Sequence, residues 1–251
     1  MLSKNQIKSV RSLSLKKNRD EQRLFVAEGE KLVEDLLPFL ACRSLFATSD
    51  WAATHAKPSI LDYVMVDGLD EMKKISFLST PTPVLALFEQ PDLVLNISSL
   101  KNELILVLDE VQNPGNLGTI LRVADWFGIT HVVCSHTSAD VFNPKTVQAT
   151  MGALARVNVH YVDLIDFFTR YQQLELPIYG TFLDGESLYK TKLSGVGAIL
   201  FGNEGKGISA QIESFVSSRL FIPNYPSDRK TSESLNVAIS SAIVCAEFRR
   251  T

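Results

Sequence analysis

The sequence predicts an α/β protein in two parts: a small α/β domain, then a mostly parallel sheet with helices on both faces. Three observations carry that expectation. Unbroken apolar runs at 104–108 and 196–201 have the pattern of strands buried on both faces. Segments with helical apolar spacing alternate with such runs from residue 24 onward, as in folds that wrap helices around a sheet. At 251 residues, 45% of them hydrophobic, the chain is long enough to bury two cores.

Residues 5–23 place Ile7, Val10, Leu13 and Leu15 for a short basic helix. A strand at 24–29 ends in Gly29, and a helix over 30–37 stops at Pro38 with Leu32, Val33, Leu36 and Leu37 on its apolar face. Strands follow at 45–48, 63–66 and 83–88, with short helices at 51–55, entered through Ser49, and at 67–76. Residues 89–103 turn polar, which separates a domain over 1–95 from one over 104–251, with a linker at 96–103. In the second domain strands are expected at 104–108, 131–135, 156–160, 177–181, 196–201 and 220–223. The intervening helices are expected over 117–127, 143–154, 163–174, 208–217 and 234–248, with Asn116 and Asp163 as N-caps.

Composition excludes several classes. No apolar run approaches the ~18 residues of a membrane span, and charges recur through the first 23 positions where a signal peptide would be apolar, so a cytoplasmic protein is expected. Cys42, Cys134 and Cys245 are scattered, without C-x-x-C spacing, and His55, His131, His136 and His160 form no metal motif; core thiols and no metal site are expected. The net charge of −3 is unevenly spread. Lys4, Lys8, Arg11, Lys16, Lys17, Arg19 and Arg23 face only Asp20 and Glu21 within residues 1–23, and a basic arm on an acidic body suits contact with a phosphate backbone. An amphipathic, solvated helix would look the same.

The strands at 104–108, 199–201 and 221–222 each run into a loop of small polar residues: 113–116, 202–207 and 224–236. If these strands are parallel neighbours, their loops meet at one sheet edge, where ligand crevices form. Gly202, Gly205 and Gly207 fit neither a Walker loop, since Lys206 precedes Gly207 rather than Ser or Thr, nor a dinucleotide fingerprint. Glu204 would repel a phosphate, so the loop suits an amine, a ribose or an adenine better.

Three blocks then stand out: Asn113-Pro114-Gly115-Asn116-Leu117-Gly118-Thr119-Ile120-Leu121-Arg122; Phe201-Gly202-Asn203-Glu204-Gly205-Lys206-Gly207-Ile208; and Ile222-Pro223 with Ser234-Leu235-Asn236-Val237-Ala238. In order and spacing they resemble the signature blocks of the SpoU/TrmH family of RNA ribose 2′-O-methyltransferases, over about residues 103–250. Phe25-Val26-Ala27-Glu28-Gly29-Glu30-Lys31-Leu32-Val33 resembles the opening of the ribosomal-protein-like substrate-binding domain that precedes the catalytic domain in many members. The resemblance implies a trefoil knot, S-adenosylmethionine as methyl donor, transfer or ribosomal RNA as substrate, and a homodimer with the active site at the subunit interface. It places cofactor contacts on Gly202, Ile222 and Leu235 and on the backbone at the end of the Thr181 strand. Its catalytic positions fall on Asn116, Arg122, Glu204, Ser234 and Asn236.

Arg122 reads as a clamp on the RNA phosphate beside the reacting ribose rather than as a base, because a guanidinium hardly deprotonates in proteins. One departure is plain. The connection 224–233 is longer than the family's usual one and lacks its Gly, which puts its cofactor contact in question and makes Arg229 and Lys230 candidates for touching RNA. Two rivals remain: a knotted RNA-binding or ribosome-assembly protein without turnover, and a nucleotide-dependent oxidoreductase, for which the chain lacks the glycine fingerprint.

Overall fold

The computed structural model describes residues 1–55, 60, 62–226 and 232–250. They fall into two compact units, one within 1–92 and 140–155, the other within 93–139 and 156–250.

In the first unit, α1 (Lys4–Ser12) opens on a capping box in which Ser3 and Gln6 satisfy each other's backbone N–H groups, and α2 (Lys16–Gln22) follows a break at 13–15. The single helix expected over 5–23 is therefore two, because Leu13 turns inward to full burial and Arg23 closes α2 with a positive φ of 54°. Next come β1 (Leu24–Glu28), α3 (Glu30–Leu36), β2 (Cys42–Thr48), α4 (Ser49–Thr54), β3 (Asp62–Val66), α5 (Gly68–Met72) and β4 (Val84–Glu89). The sheet order is β1-β4-β2-β3, with β4 antiparallel to both its neighbours and β2 parallel to β3. Its core packs Phe25, Val33, Leu36, Leu45 and Phe88 with Val147, which belongs to α7 (Pro144–Thr150), far along the chain.

Arg19 was expected to meet RNA; instead it is 1% exposed. Its guanidinium donates to the Leu13 and Ser14 carbonyls and to Asp140, so it serves as an internal tether. The other six basic residues of the arm are exposed. Lys16 and Lys17 pair with Asp20 and Glu21 one turn on, Arg23 pairs with Asp92, and Arg11 lies over the Phe77 ring.

The second unit is a sheet in the order β7-β6-β5-β10-β8-β11-β9, in which every pairing is parallel. Its strands are β5 (Leu104–Leu108), β6 (His131–Ser135), β7 (Asn158–Val162), β8 (Ile178–Phe182), β9 (Glu186–Ser187), β10 (Gly197–Phe201) and β11 (Ser218–Phe221). Its helices are α6 (Pro114–Trp126), α8 (Leu164–Tyr171), α9 (Ala210–Glu213) and α10 (Val237–Phe248). The α/β expectation holds, and strands β5 and β10 are fully buried, as their unbroken apolar runs require. The helix read over 208–217 shrinks to α9, and the segment read as a linker contains a 3₁₀ turn, Ile97–Asn102, whose Ile97 and Leu100 pack into this unit's core.

Burial pushes the Cys134 and Cys245 thiols upward, Cys245 to about 12, which makes both inert packing groups. His160 stacks on His131 with Nε2 3.2 Å from its neighbour's Nδ1, and burial beside that ring lowers its pKa from 6.5 to about 4. The unfolded chain therefore takes up this proton before the folded one does. Stability should fall as pH drops from about 6.5 toward 4 and level off below, by roughly 3 kcal/mol in all. Urea midpoints at pH 7.5 and pH 5 check this, and His160→Gln should flatten the difference.

Candidate active site

The connection leaving β5 runs through α6 toward β6 on one side, while that leaving β10 runs through α9 toward β11 on the other. Between these two adjacent strands the sheet changes winding direction, and it is beyond the carboxyl ends of strands at such a switch that α/β sheets hold their ligands. Three sequence blocks end there.

The first is fixed by Asn113, whose side chain accepts from the N–H groups of Gly115 at 2.8 Å and Asn116 at 3.1 Å. Asn116 was expected to be the cap. Pro114 moves it back: with no N–H and a φ already suited to a helix, proline takes the first helical position and leaves the cap to the residue before it. The Asn116 side chain is thereby released, donating to Glu204 Oε1 at 2.8 Å and accepting from Asn236 Nδ2 at 3.0 Å. Asn236 in turn caps α10 by accepting from Ala238 N and Ile239 N. Asn116, Glu204 and Asn236, from three distant segments, thus form one chain of hydrogen bonds.

The second block is a closed loop. Asn203 and Gly207 exchange backbone bonds at 2.9 Å, and the Asn203 side chain accepts from Gly205 N and Lys206 N while donating to the Glu110 carbonyl. Glu110 holds a positive φ of 56°, unfavourable for a side-chain-bearing residue, and buried Asp109 accepts from Ser209 N at 2.8 Å. Asp109, Glu110 and Asn203 therefore pin the β5 and β10 loops together. Their positioning roles were missed: Asn203 could have been suspected from its place beside Gly202, but nothing in the sequence announces the Glu110 conformation.

Gly202 is required sterically. A Cβ there would lie 2.2 Å from the Gly207 carbonyl carbon and 2.3 Å from Ile208 N, both backbone atoms. Gly202→Ala should lose about 1–3 kcal/mol of stability and open the loop, read as a lower Tm together with weaker S-adenosylmethionine binding by calorimetry.

The third block differs in part from expectation. Strand β11 is not beside β10, because β8 lies between them and places Thr181, whose hydroxyl donates to the Leu200 carbonyl at 3.1 Å, at the same edge. Ile222 is half-buried just past β11, and Leu235, 48% exposed, adjoins Asn236. Ser234 is exposed and does not cap α10. Arg229 and Lys230 lie outside the described residues. Arg122 is exposed on α6, six residues beyond Asn116, which places it ~9 Å further along the helix and about a third of a turn around it. It does not join the Asn116–Glu204–Asn236 chain.

The loop tests which cofactor fits. A phosphate cradle needs free backbone N–H groups, but those of Gly205 and Lys206 are taken by Asn203, and Glu204 adds negative charge. Half-buried Ile222 and exposed Leu235 offer apolar surface beside backbone groups. The set suits a ligand with an adenine, a ribose and no phosphate, which S-adenosylmethionine is.

The model of the SpoU rRNA methylase family matches residues 103–246, more than half the chain, and that of the MRM3-like substrate binding domain matches residues 4–86. The chain belongs to the SpoU rRNA methylase family. Among its relatives, the 23S rRNA (guanosine(2553)-2′-O)-methyltransferase RlmP of Bacillus subtilis is 30% identical over 98% of this chain and 97% of that protein. A putative RNA methyltransferase of the TrmH family from Porphyromonas gingivalis superposes with a TM-score of 0.88 at 43% identity, over 99% of this chain and 98% of that one. An AdoMet-bound rRNA methyltransferase from Sinorhizobium meliloti gives 0.84 at 28% identity, over 99% and 95%. The SpoU blocks singled out in the sequence are the three that Asn116, Glu204 and Asn236 join by hydrogen bonds at one edge of the sheet.

Proposed function

We infer that this SpoU-family chain is an S-adenosylmethionine-dependent RNA 2′-O-methyltransferase that modifies ribosomal RNA of the large subunit. The observation that carries the reading is the Asn116–Glu204 and Asn116–Asn236 pair of bonds, which gathers three family blocks beside a phosphate-averse loop. Thr181, Gly202, Ile222 and Leu235 would hold the cofactor, which supplies an electrophilic methyl group on a sulfonium that leaves without protonation. The protein's task is then to align a ribose hydroxyl and favour its alkoxide, whose proton passes to the adjoining RNA phosphate or to water as the sulfonium departs as a neutral thioether. Asn116 and Asn236 orient the ribose and Glu204 fixes Asn116. Ser234 is an exposed donor at the same approach, and Arg122 clamps the adjoining phosphate. A ribosomal substrate implies a cytoplasmic site of action.

Arg122 is exposed ~9 Å along α6 from Asn116 and takes no part in the hydrogen bonds of the trio, so a second copy is proposed to complete the site. Helix α10 is apolar apart from Ser240, Ser241 and Glu247: Ala238, Val244 and Cys245 are buried, yet Ile239 is 53% exposed, and on α6, which packs against α10, Trp126 is 84% exposed one turn from Arg122. A helix of that composition is built for burial all round. Ile239→Glu should give a monomer by sedimentation velocity and lose methyl transfer, while leaving the RNA affinity of the basic arm in place.

The deciding experiment incubates the protein with labelled S-adenosylmethionine and total RNA from cells lacking it, then maps ribose methylation. Label in a single 23S nucleotide supports the reading. Cofactor binding with no label in any RNA favours a ribosome-assembly protein without turnover and sinks the proposal.

A further inference from the structure

The first unit contains a cavity of about 310 Å³, within the range of small-ligand sites, formed where α7 lies against β1. Val26, Phe77, Leu78 and Pro144 give it apolar walls, Lys145 stands at its exposed rim, and Glu28 lines it. Glu28 is only 3% exposed and has no cationic partner among the described residues. Each of its oxygens accepts one bond, from the Ser76 hydroxyl and from Phe77 N at 2.9 Å. A carboxylate offers about four acceptor positions, so one remains on each oxygen. Arg11 donates to the Ser76 carbonyl and lies 5.7 Å from the Phe77 ring centre, which places a second positive charge from the basic arm beside the Phe77 wall.

We propose that this cavity is a guanine-reading subsite for an unstacked nucleotide of the RNA substrate, separate from the nucleotide that is methylated. The proposal rests on the RNA-modifying reading above. Among the four bases only guanine places two adjacent N–H donors, N1–H and the 2-amino group, on its pairing edge, and these match the two free acceptor positions of Glu28. The apolar walls and the Phe77 ring take the base faces, as protein pockets do for splayed single-stranded bases. Arg11 and Lys145 suit the flanking phosphates.

The test titrates guanosine monophosphate into the ¹⁵N-labelled full chain. Saturable shifts at the Phe77, Leu78, Lys145 and Gln148 amides are expected, at least tenfold weaker with adenosine or inosine monophosphate, the latter lacking the 2-amino group. Ala149→Phe fills the cavity without touching the Glu28 bonds; it should remove the shifts, keep Tm, and raise KM for RNA at least tenfold with kcat unchanged. Equal response to adenosine monophosphate, or no response at these amides at millimolar nucleotide, overturns the subsite. Methyl incorporation by the unaltered protein is measured in parallel. Its absence would sink the enzyme reading alone, and its persistence with unchanged KM in Ala149→Phe would sink the subsite alone.

Discussion

Arg122→Ala is expected to lower kcat by at least ~10²-fold, the usual cost of removing one group aimed at developing charge in a transition state. S-adenosylmethionine affinity should not change, because the side chain is exposed on α6 and takes no part in the hydrogen bonds that build the loops. Stability should stay within about 0.5 kcal/mol, as for other surface substitutions. Arg122→Lys keeps the charge but not the planar fork, so it should recover only part of the rate. Calorimetry with the cofactor and single-turnover methylation on the same preparations check both halves. An equal loss of cofactor binding would show that Arg122 supports the loops instead of the phosphate.

Replacing Arg19 with alanine should cost about 3–5 kcal/mol, the largest stability effect expected of any residue in the basic arm. It would leave the Asp140 carboxylate and the Leu13 and Ser14 carbonyls without the guanidinium that now satisfies them from a buried position. Removing both charges together, as Arg19→Met with Asp140→Leu, should return much of that loss, since breaking a buried ion pair is worse than replacing it. Urea unfolding of the single and double variants measures the difference. By contrast, alanine at Lys4 and Lys8, exposed on α1, should barely alter stability while weakening RNA binding and flattening its salt dependence.

Why one basic residue of the arm's seven is structural was not legible in the sequence: the partner of Arg19, Asp140, lies 121 positions away. What could be read were features set by local chemistry. Unbroken apolar runs gave β5 and β10, and Asp163 caps α8 as its position suggested. The Asn-Pro pair was visible too, but its meaning was misjudged at Asn116, because the cap depends on proline's missing N–H as well as on the polar residue next to the apolar stripe. The convergence of the three loops followed from their places at strand ends. The order of strands did not, since the insertion of β8 between β10 and β11 depends on long-range pairing that no window of sequence encodes. Glu204 and Asn236 were recognisable as candidates, whereas Asp109 and Asn203 act through backbone contacts that only coordinates reveal.

Helix α7 comes from the segment matched by the methylase family, yet its Val147 fills the core beneath Phe25, and Phe142 stacks on that ring at 5.0 Å. The amino-terminal unit is therefore not a contiguous peptide. During synthesis it lacks its last helix until residue 155 has been made, a wait of several seconds at ~5–20 residues per second, through which Phe25 stays short of its covering layer. Excising residues 1–92 for crystallisation or binding work would reproduce that unfinished intermediate and invite aggregation; a soluble fragment would need the 140–155 segment grafted back.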